Sequence, residues 1–217
     1  MTHSGHLLSG GIASVYPILV SVQHLNATAA VCAAGFALLG SLAPDFLELP
    51  YPKIKIAKGS LFTPRKRTVV RGRIISHRGM THSVCLWVFL YLFSFHALTN
   101  SQALFSYIPC LSHEQLGTIF SNPYFVACML GFSFGGMVHL FGDFPNKVGI
   151  PVCYPFPWRI RLNIWKSGSH EIETNLALAF LLVPLLYFTY LFPEKNMFHL
   201  IWEAMQWSYH YFSRNNS

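Results

Sequence analysis

Long apolar stretches constrain the fold of this chain more than any other feature of its sequence. Four of them approach the length that an α-helix needs to cross the hydrocarbon core of a bilayer, about 20 residues. They lie at residues 25–42, 83–98, 123–141 and 175–192. We therefore predict an all-α fold, a polytopic transmembrane helical bundle.

Composition agrees with this prediction. Hydrophobic residues make up 53% of the 217 residues and charged residues only 11%, whereas charged residues approach about a quarter of a soluble domain. A chain this apolar is expected to have lipid as its main solvent. We predict one integral membrane domain over residues 1–217.

Two further segments are less regular. Residues 7–22 are apolar but shorter and contain Gly10, Gly11 and Pro17, which predicts a tilted span or a buried half-helix and brings the total to about five spans. The tail at residues 197–212 mixes tryptophan and tyrosine with polar side chains. That mixture is typical of an amphipathic C-terminal helix that lies in the membrane interface.

The positive charge of the chain is concentrated in one place. Nine of the fifteen Lys and Arg residues fall between Lys53 and Arg78. A local basic patch beside apolar spans indicates a cytoplasmic loop, at residues 50–82, facing anionic headgroups rather than nucleic acid, which we do not expect as a partner. The loop 100–122 has no Lys or Arg, and the segment 143–174 has four. This alternation predicts a multi-pass protein with a cytoplasmic N-terminus.

The segment 143–174 has a composition of its own. Trp158 and Trp165 flank Arg159 and Arg161 in a proline-rich stretch. Aromatic and basic side chains together are typical of the membrane interface. We predict an interfacial re-entrant or hairpin segment here.

Histidines and aspartates fall at the predicted cytoplasmic ends of the spans. These ends were assigned from Lys and Arg alone, so the coincidence is independent of the assignment. Taken singly, a histidine at a membrane edge is more often a hydrogen-bonding group than a ligand, but several ionisable residues from separate spans favour a functional site. The candidate metal ligands are His6, Asp45, His77, His82, His139 and Asp143.

The spacing of these residues suits a metal ion. His139 and Asp143 are four residues apart, so one helix face presents both, and Gly79 allows a bend between His77 and His82. Mixed nitrogen and oxygen ligands favour zinc as the divalent metal, with manganese or iron as alternatives. A metal-activated water would make the site hydrolytic.

Other polar residues receive weaker assignments. Arg78 could contact an anionic substrate or face lipid phosphate, and Glu173 or Glu48 could act as a general base or support a ligand. His3 and His170 are left open. No role is assigned to the remaining histidines, which are His24, His96, His113, His199 and His210.

Several motifs resemble a known family. They are His6-Leu7-Leu8, Gly-Ser-Leu-Ala-Pro-Asp at 40–45, His-Arg-Gly-Met-Thr-His-Ser at 77–83, His139 followed by Asp143, Gly-Ile-Pro at 149–151, Tyr-Pro-Phe at 154–156 and Trp-Arg-Ile-Arg-Leu at 158–162. Together they resemble the YdjM-like family of bacterial inner-membrane proteins, LexA-regulated (SOS-regulated), membrane-bound metal-dependent hydrolases. The resemblance extends to about residue 175. It implies a divalent-metal site, hydrolase activity and an inner-membrane location.

One departure from the family pattern bears on the number of metals. After Pro-Asp the family continues with a second Asp and a His, whereas Asp45 is followed by Phe46, Leu47 and Glu48. Either Glu48 replaces a lost ligand or a second metal position is missing. We expect one metal.

The sequence thus predicts a metal-dependent hydrolase at the cytoplasmic membrane face. Its position favours membrane lipids as partners and an ester or phosphoester of a lipid or lipid-linked small molecule as substrate. One alternative is a haem protein with His82 and His139 as axial ligands. The other is a small transporter or structural membrane protein in which the polar cluster lines a vestibule.

Overall fold

The structure is a bundle of apolar helices. It is a computed structural model that describes residues 1–47, 50–56, 67–73, 79–99, 118–147, 149–164, 169–199, 201–202 and 205–206. Its helices are α1 (His3–Ala13), α2 (Val15–His24), α3 (Ala27–Phe46), α4 (Val84–Thr99), α5 (Pro123–Asp143) and α6 (Glu171–Leu191).

The six helices form five apolar units, one for each of the five predicted spans. Helices α1 and α2 together form one 22-residue span, His3–His24, and α3, α5 and α6 are each long and apolar enough to cross a membrane. Helix α4 is apolar but shorter, with 16 residues. The structure confirms the predicted all-α membrane bundle, and the protein is a multi-pass membrane protein.

Local capping sets the helix ends more sharply than hydropathy does. The Asn26 side chain accepts a hydrogen bond from the backbone N–H of Ala29, so α3 begins at Ala27. At its other end α3 continues through Pro44 to Phe46, so Asp45 lies inside the last turn. Helix α6 begins at Glu171, earlier than predicted, with acidic residues in its first turn, where the helix dipole favours negative charge.

Helices α3 and α5 form the closest packed pair of the bundle. A Cβ atom at Gly40 would collide with the backbone of Phe132, and one at Gly131 or Gly135 would collide with the backbone of α3. Glycine is therefore required for this approach, as is common where membrane helices pack closely.

The other helices pack around this pair. Trp87 of α4 is fully buried, with its indole ring against Gly136 of α5. The hydroxyl groups of Tyr16 on α2 and Tyr91 on α4 share a hydrogen bond in the core. Helix α6 packs mainly against α1 and α2, so it lies beside the bundle rather than within it.

Short strands occur outside the apolar helices. Strands β1 (Pro50–Ile56) and β2 (Arg67–Arg73) pair antiparallel within the predicted basic loop. The alternating Lys-Ile-Lys-Ile at 53–56 has the period of a strand, which explains the pairing. Strands β3 (Ile150–Pro151) and β4 (Arg159–Ile160) form a small hairpin in the aromatic and basic segment.

Candidate metal centre

Four chain segments bring ionisable side chains together at one end of the bundle. We call this set the His/Asp cluster and the end that holds it the cluster end. Helix α1 contributes one histidine, the last turn of α3 an aspartate, a single 3₁₀ turn before α4 a second histidine, and the last turn of α5 a histidine and an aspartate. Its members are His6, Asp45, His82, His139 and Asp143.

Three ligand atoms of the cluster form a compact triangle. The Nε2 atoms of His82 and His139 are 3.4 Å apart. The Oδ1 atom of Asp45 lies 3.5 Å from the first and 3.9 Å from the second. The point equidistant from the three atoms is about 2.1 Å from each, within the length of zinc bonds to nitrogen or oxygen, about 2.0 to 2.2 Å.

His6 lies next to these three atoms and contacts two other members of the cluster. Its ring stacks on that of His139 with the centroids 3.7 Å apart. Its Nε2 atom is 3.7 Å from Oδ1 of Asp143. The Nδ1 atom of His6 is buried and has no hydrogen-bond partner among the described residues. A buried imidazole nitrogen of this kind is costly unless something binds it, so His6 fits a ligand role.

The orientation of His139 is fixed by the backbone of α3. Its Nδ1 atom lies 2.7 Å from the carbonyl oxygen of Ser41. A carbonyl can only accept, so Nδ1 carries the proton and Nε2 keeps its lone pair. This is the arrangement in which a histidine binds a metal through Nε2 while its other nitrogen is held by an outer partner.

His82 is held by its own 3₁₀ turn. The backbone N–H of His82 donates to the carbonyl of Gly79, and its Nδ1 atom is 3.3 Å from the hydroxyl of Thr81. The indole N–H of Trp87 donates to the carbonyl oxygen of Thr81 at 2.7 Å. Trp87 therefore connects the packing of α4 to the position of His82.

Asp143 is held by two hydrogen-bond donors. The amino group of Met1 and the side-chain amide of Asn146 each donate to Oδ1 of Asp143 at 2.9 Å. Two donors on one buried oxygen favour the ionised carboxylate. Asp143 also forms a second set of close ligand atoms with His82 and His139.

The cluster is closed on most sides. The three histidines are at most 1% exposed and Asp143 is 5% exposed, whereas the Asp45 side chain retains 25%. Next to Asp45, the side chain of His3 is 73% exposed, and its Nδ1 lies 3.8 Å from the second carboxylate oxygen. Within the described residues, the cluster therefore opens at Asp45.

The predicted residues fall into three groups. The structure brings five of the six candidate ligands together, while His77, Glu48 and Arg78 lie outside the described residues. Glu173 is not part of the cluster: its carboxylate is exposed and lies 3.0 Å from Nδ1 of His170. His24, to which no role was assigned, lies instead 3.0 Å from the carbonyl of Pro193.

The supporting residues were not predicted. They are Met1, Ser41, Thr81, Trp87 and Asn146. Ser41 acts through its backbone carbonyl, which no residue pattern reveals. Asn146 follows Asp143 by three residues, and that spacing was the one visible signal.

The comparisons with known proteins agree with the architecture. No curated protein and no solved structure matches the chain significantly. The profile of a family described as YdjM inner membrane protein matches residues 1–214, which is nearly the whole chain and includes every residue of the cluster. The chain belongs to the family of YdjM inner membrane proteins.

Proposed function

We propose that this protein is a metal-dependent hydrolase of the bacterial cytoplasmic membrane, with its divalent-cation site at the cytoplasmic face. Hydrolase activity is what the resemblance to the YdjM-like family implies. Zinc is the cation that the mixed nitrogen and oxygen donors favour. The substrate we propose is an ester or phosphoester of a lipid or lipid-linked compound.

One observation carries the proposal: three donor atoms from three chain segments surround a single point at metal-bond distance. The atoms are Nε2 of His82, Nε2 of His139 and Oδ1 of Asp45. Imidazoles and carboxylates buried in a membrane bundle are costly, and such residues are retained mainly where they serve a function. His6 and Asp143 stand beside this triangle as further ligands or as charge partners.

The chain's own residues prepare the site for hydrolysis. The carbonyl of Ser41 holds His139 in the tautomer that leaves Nε2 able to bind a cation. When bound, a divalent cation supplies polarisation of a carbonyl or phosphoryl oxygen and activation of water. The buried histidines exclude bulk water from their part of the site, and the exposed edge at Asp45 leaves space for the substrate.

The surroundings of the opening favour a lipid substrate. Phe46 follows Asp45 and is 66% exposed, with the ring of His3 stacked near it. Leu7 and Leu8, on the turn of α1 after His6, are also exposed. An opening with apolar and polar side chains side by side suits a molecule that keeps its hydrocarbon part in the membrane and its ester at the interface.

Metal analysis of the detergent-purified protein tests the proposal. We expect the wild type to retain close to one zinc or manganese per chain, and His82→Ala and Asp143→Ala to lose it. His96→Ala, at the far end of α4, is the matched control and should retain the metal. Equal metal content in all four proteins would end the proposal.

The alternative functions predict different measurements. A haem held by His82 and His139 would give a Soret band in the absorption spectrum. The geometry favours a small ion instead, because Asp45 and the stacked ring of His6 stand where a porphyrin would extend. A transporter or structural protein would behave identically before and after metal removal.

A further inference from the structure

Two cysteines lie side by side at the cluster end of the bundle, outside the His/Asp cluster. Cys85 is in the first turn of α4, and Cys153 is in the loop between β3 and β4. Both are free thiols, and Cys85 is exposed whereas Cys153 is partly buried. A side-chain hydrogen bond links the two thiols. The pair therefore connects an apolar helix to a hairpin that is distant from it in the sequence.

Hydrogen bonds to the start of α4 fix the chain on both sides of Cys153. The backbone N–H of Cys85 donates to the carbonyl oxygen of Val152 at 2.9 Å. The hydroxyl of Ser83 donates to the same carbonyl at 3.3 Å and accepts from the backbone N–H of Tyr154 at 3.2 Å. Both chain neighbours of Cys153 are thus bonded to residues 83–85, and the position of its thiol beside Cys85 is not a matter of chance.

This arrangement gives the separation that a disulfide bond needs. The nitrogen of Cys85 is hydrogen-bonded to the carbonyl that precedes Cys153, so the Cα atoms of the two cysteines lie within about 7 Å of each other. Disulfides join Cα atoms that are about 4.4 to 6.8 Å apart. Joining the two sulfur atoms therefore requires little movement of the backbone.

We propose that Cys85 and Cys153 form a reversible oxidation site, whose disulfide fastens the β3–β4 hairpin to the start of α4. The site goes beyond the hydrolase proposal and does not depend on it, because none of its steps involves a metal. On the cytoplasmic orientation proposed above, glutathione and thioredoxin keep such a pair reduced. The disulfide then forms when the oxidised fraction of glutathione rises.

The oxidant is a small soluble disulfide, oxidised glutathione. The thiolate of the more exposed Cys85 attacks one sulfur of the oxidant, which releases one glutathione and leaves a mixed disulfide on Cys85. The thiolate of Cys153 then attacks the Cys85 sulfur, and the second glutathione leaves. The protein loses two electrons and two protons, and the two released glutathione thiols carry them.

A second thiol pair provides an internal comparison. Cys32 of α3 and Cys128 of α5 are also linked by a side-chain hydrogen bond, but both lie within helices that are long and apolar enough to cross a membrane. The thiolate is the nucleophile in thiol–disulfide exchange, and an unpaired charge in an apolar environment is costly. We therefore expect this pair to remain reduced.

Two full-length proteins with one thiol pair each test the proposal. The first carries Cys32→Ala, Cys110→Ala and Cys128→Ala, and the second carries Cys85→Ala, Cys110→Ala and Cys153→Ala. Each is incubated in lipid vesicles with oxidised glutathione, and the remaining thiols are alkylated and counted by mass spectrometry. We expect the first protein to lose its thiols at least about tenfold faster than the second. Equal rates would overturn the proposal.

The wild type provides a test that needs no substitution. Under the same conditions it should lose two of its five thiols, and peptide mapping should join Cys85 to Cys153. Dithiothreitol should restore both thiols. A different pairing, or thiols that stay blocked after reduction, would contradict a reversible site at these two residues.

Removal of one thiol separates the two steps of the exchange. In the first of the two proteins above, a further Cys153→Ala substitution removes the second nucleophile, so Cys85 should retain one glutathione in a mixed disulfide. The protein with both cysteines should retain none, because Cys153 displaces it. Glutathione that stays bound equally to both proteins would overturn the intramolecular disulfide.

Discussion

The two sides of helix α5 differ in how closely the neighbouring helices pack and in which side chains line them. On one side, α3 approaches so closely that glycines are required, and this interface ends at the His/Asp cluster, whose three histidines are buried. On the other side, α4 and α6 stand apart and leave a groove lined only by apolar groups. The closely packed side of α5 therefore holds the polar cluster. The side on which the helices are separated is apolar, like the lipid around it.

The physical reason is the free energy lost when each kind of surface has no packed neighbour. A buried polar atom without a partner costs about 1 to 3 kcal/mol, so the cluster requires helices that hold every donor in place. An apolar wall in a membrane has lipid as an equivalent neighbour, and little is gained by closing it. The bundle can therefore be rigid at the cluster and open at the groove.

Metal removal should have the largest effect of these tests on the stability of the protein. With zinc at about 1,000 times its dissociation constant, binding stabilises the folded protein by about 4 kcal/mol. We expect EDTA to lower the thermal midpoint of the wild type and to leave that of His82→Ala unchanged. A zinc response of the same size in both proteins would contradict the role of the cluster.

Tightening the α3–α5 contact should have the next largest effect. In Gly135→Ala the new methyl group meets the backbone of α3, at Ala37, and overpacking of this kind costs about 1 to 3 kcal/mol. Gly35→Ala is the control, since no atom outside its own helix lies within 4 Å of its added Cβ. Thermal unfolding of both variants measures the difference, and equal midpoints would remove the argument for close packing.

A smaller effect is expected where α4 supports the cluster. Trp87→Phe keeps an aromatic ring against Gly136 but leaves the carbonyl of Thr81 without its indole donor. We expect a loss of about 1 kcal/mol in unfolding free energy and about tenfold weaker zinc binding in a competition titration. Trp202→Phe, at an exposed position, is the control. Unchanged zinc affinity would show that Trp87 does not position His82.

The smallest effect is expected on the groove side. Leu181 is 57% exposed, so Leu181→Ala should change the unfolding free energy by less than about 0.5 kcal/mol. Chemical denaturation beside Phe180→Ala measures this. A loss as large as that of Gly135→Ala would mean that the groove wall holds the fold together, and the contrast between the two sides of α5 would disappear.

The sequence predicts which ionisable residues lie together better than it predicts the groups that hold them in place. His139 and Asp143 are four residues apart on one helix, and the ends of the other spans follow from hydropathy and charge. These local signals are sufficient to place both residues near His6, Asp45 and His82. The bond from His139 to the carbonyl of Ser41 depends on how two helices approach, which no local pattern encodes.

Helix boundaries also show what local sequence signals predict and what they miss. Hydropathy ended the second span at residue 42, yet α3 continues to Phe46, with Pro44 and Asp45 inside its last turn. It began the last span at residue 175, yet α6 starts at Glu171, where acidic groups stabilise the N-terminus. The apolar stretch determines that a helix forms a span. Polar side chains determine where that helix begins and ends. The groove could not be predicted, because it depends on the distance between α4 and α6.

The partial exposure of Asp45 has a kinetic consequence. It is the most accessible member of the cluster, so on our proposal the cation would enter and leave past this carboxylate, as far as the described residues show. The rate of metal exchange at the proposed site would then depend on one side chain, and its selectivity on the buried imidazoles behind it. On that proposal, a substitution at Asp45 would change the rates of zinc uptake and zinc release together.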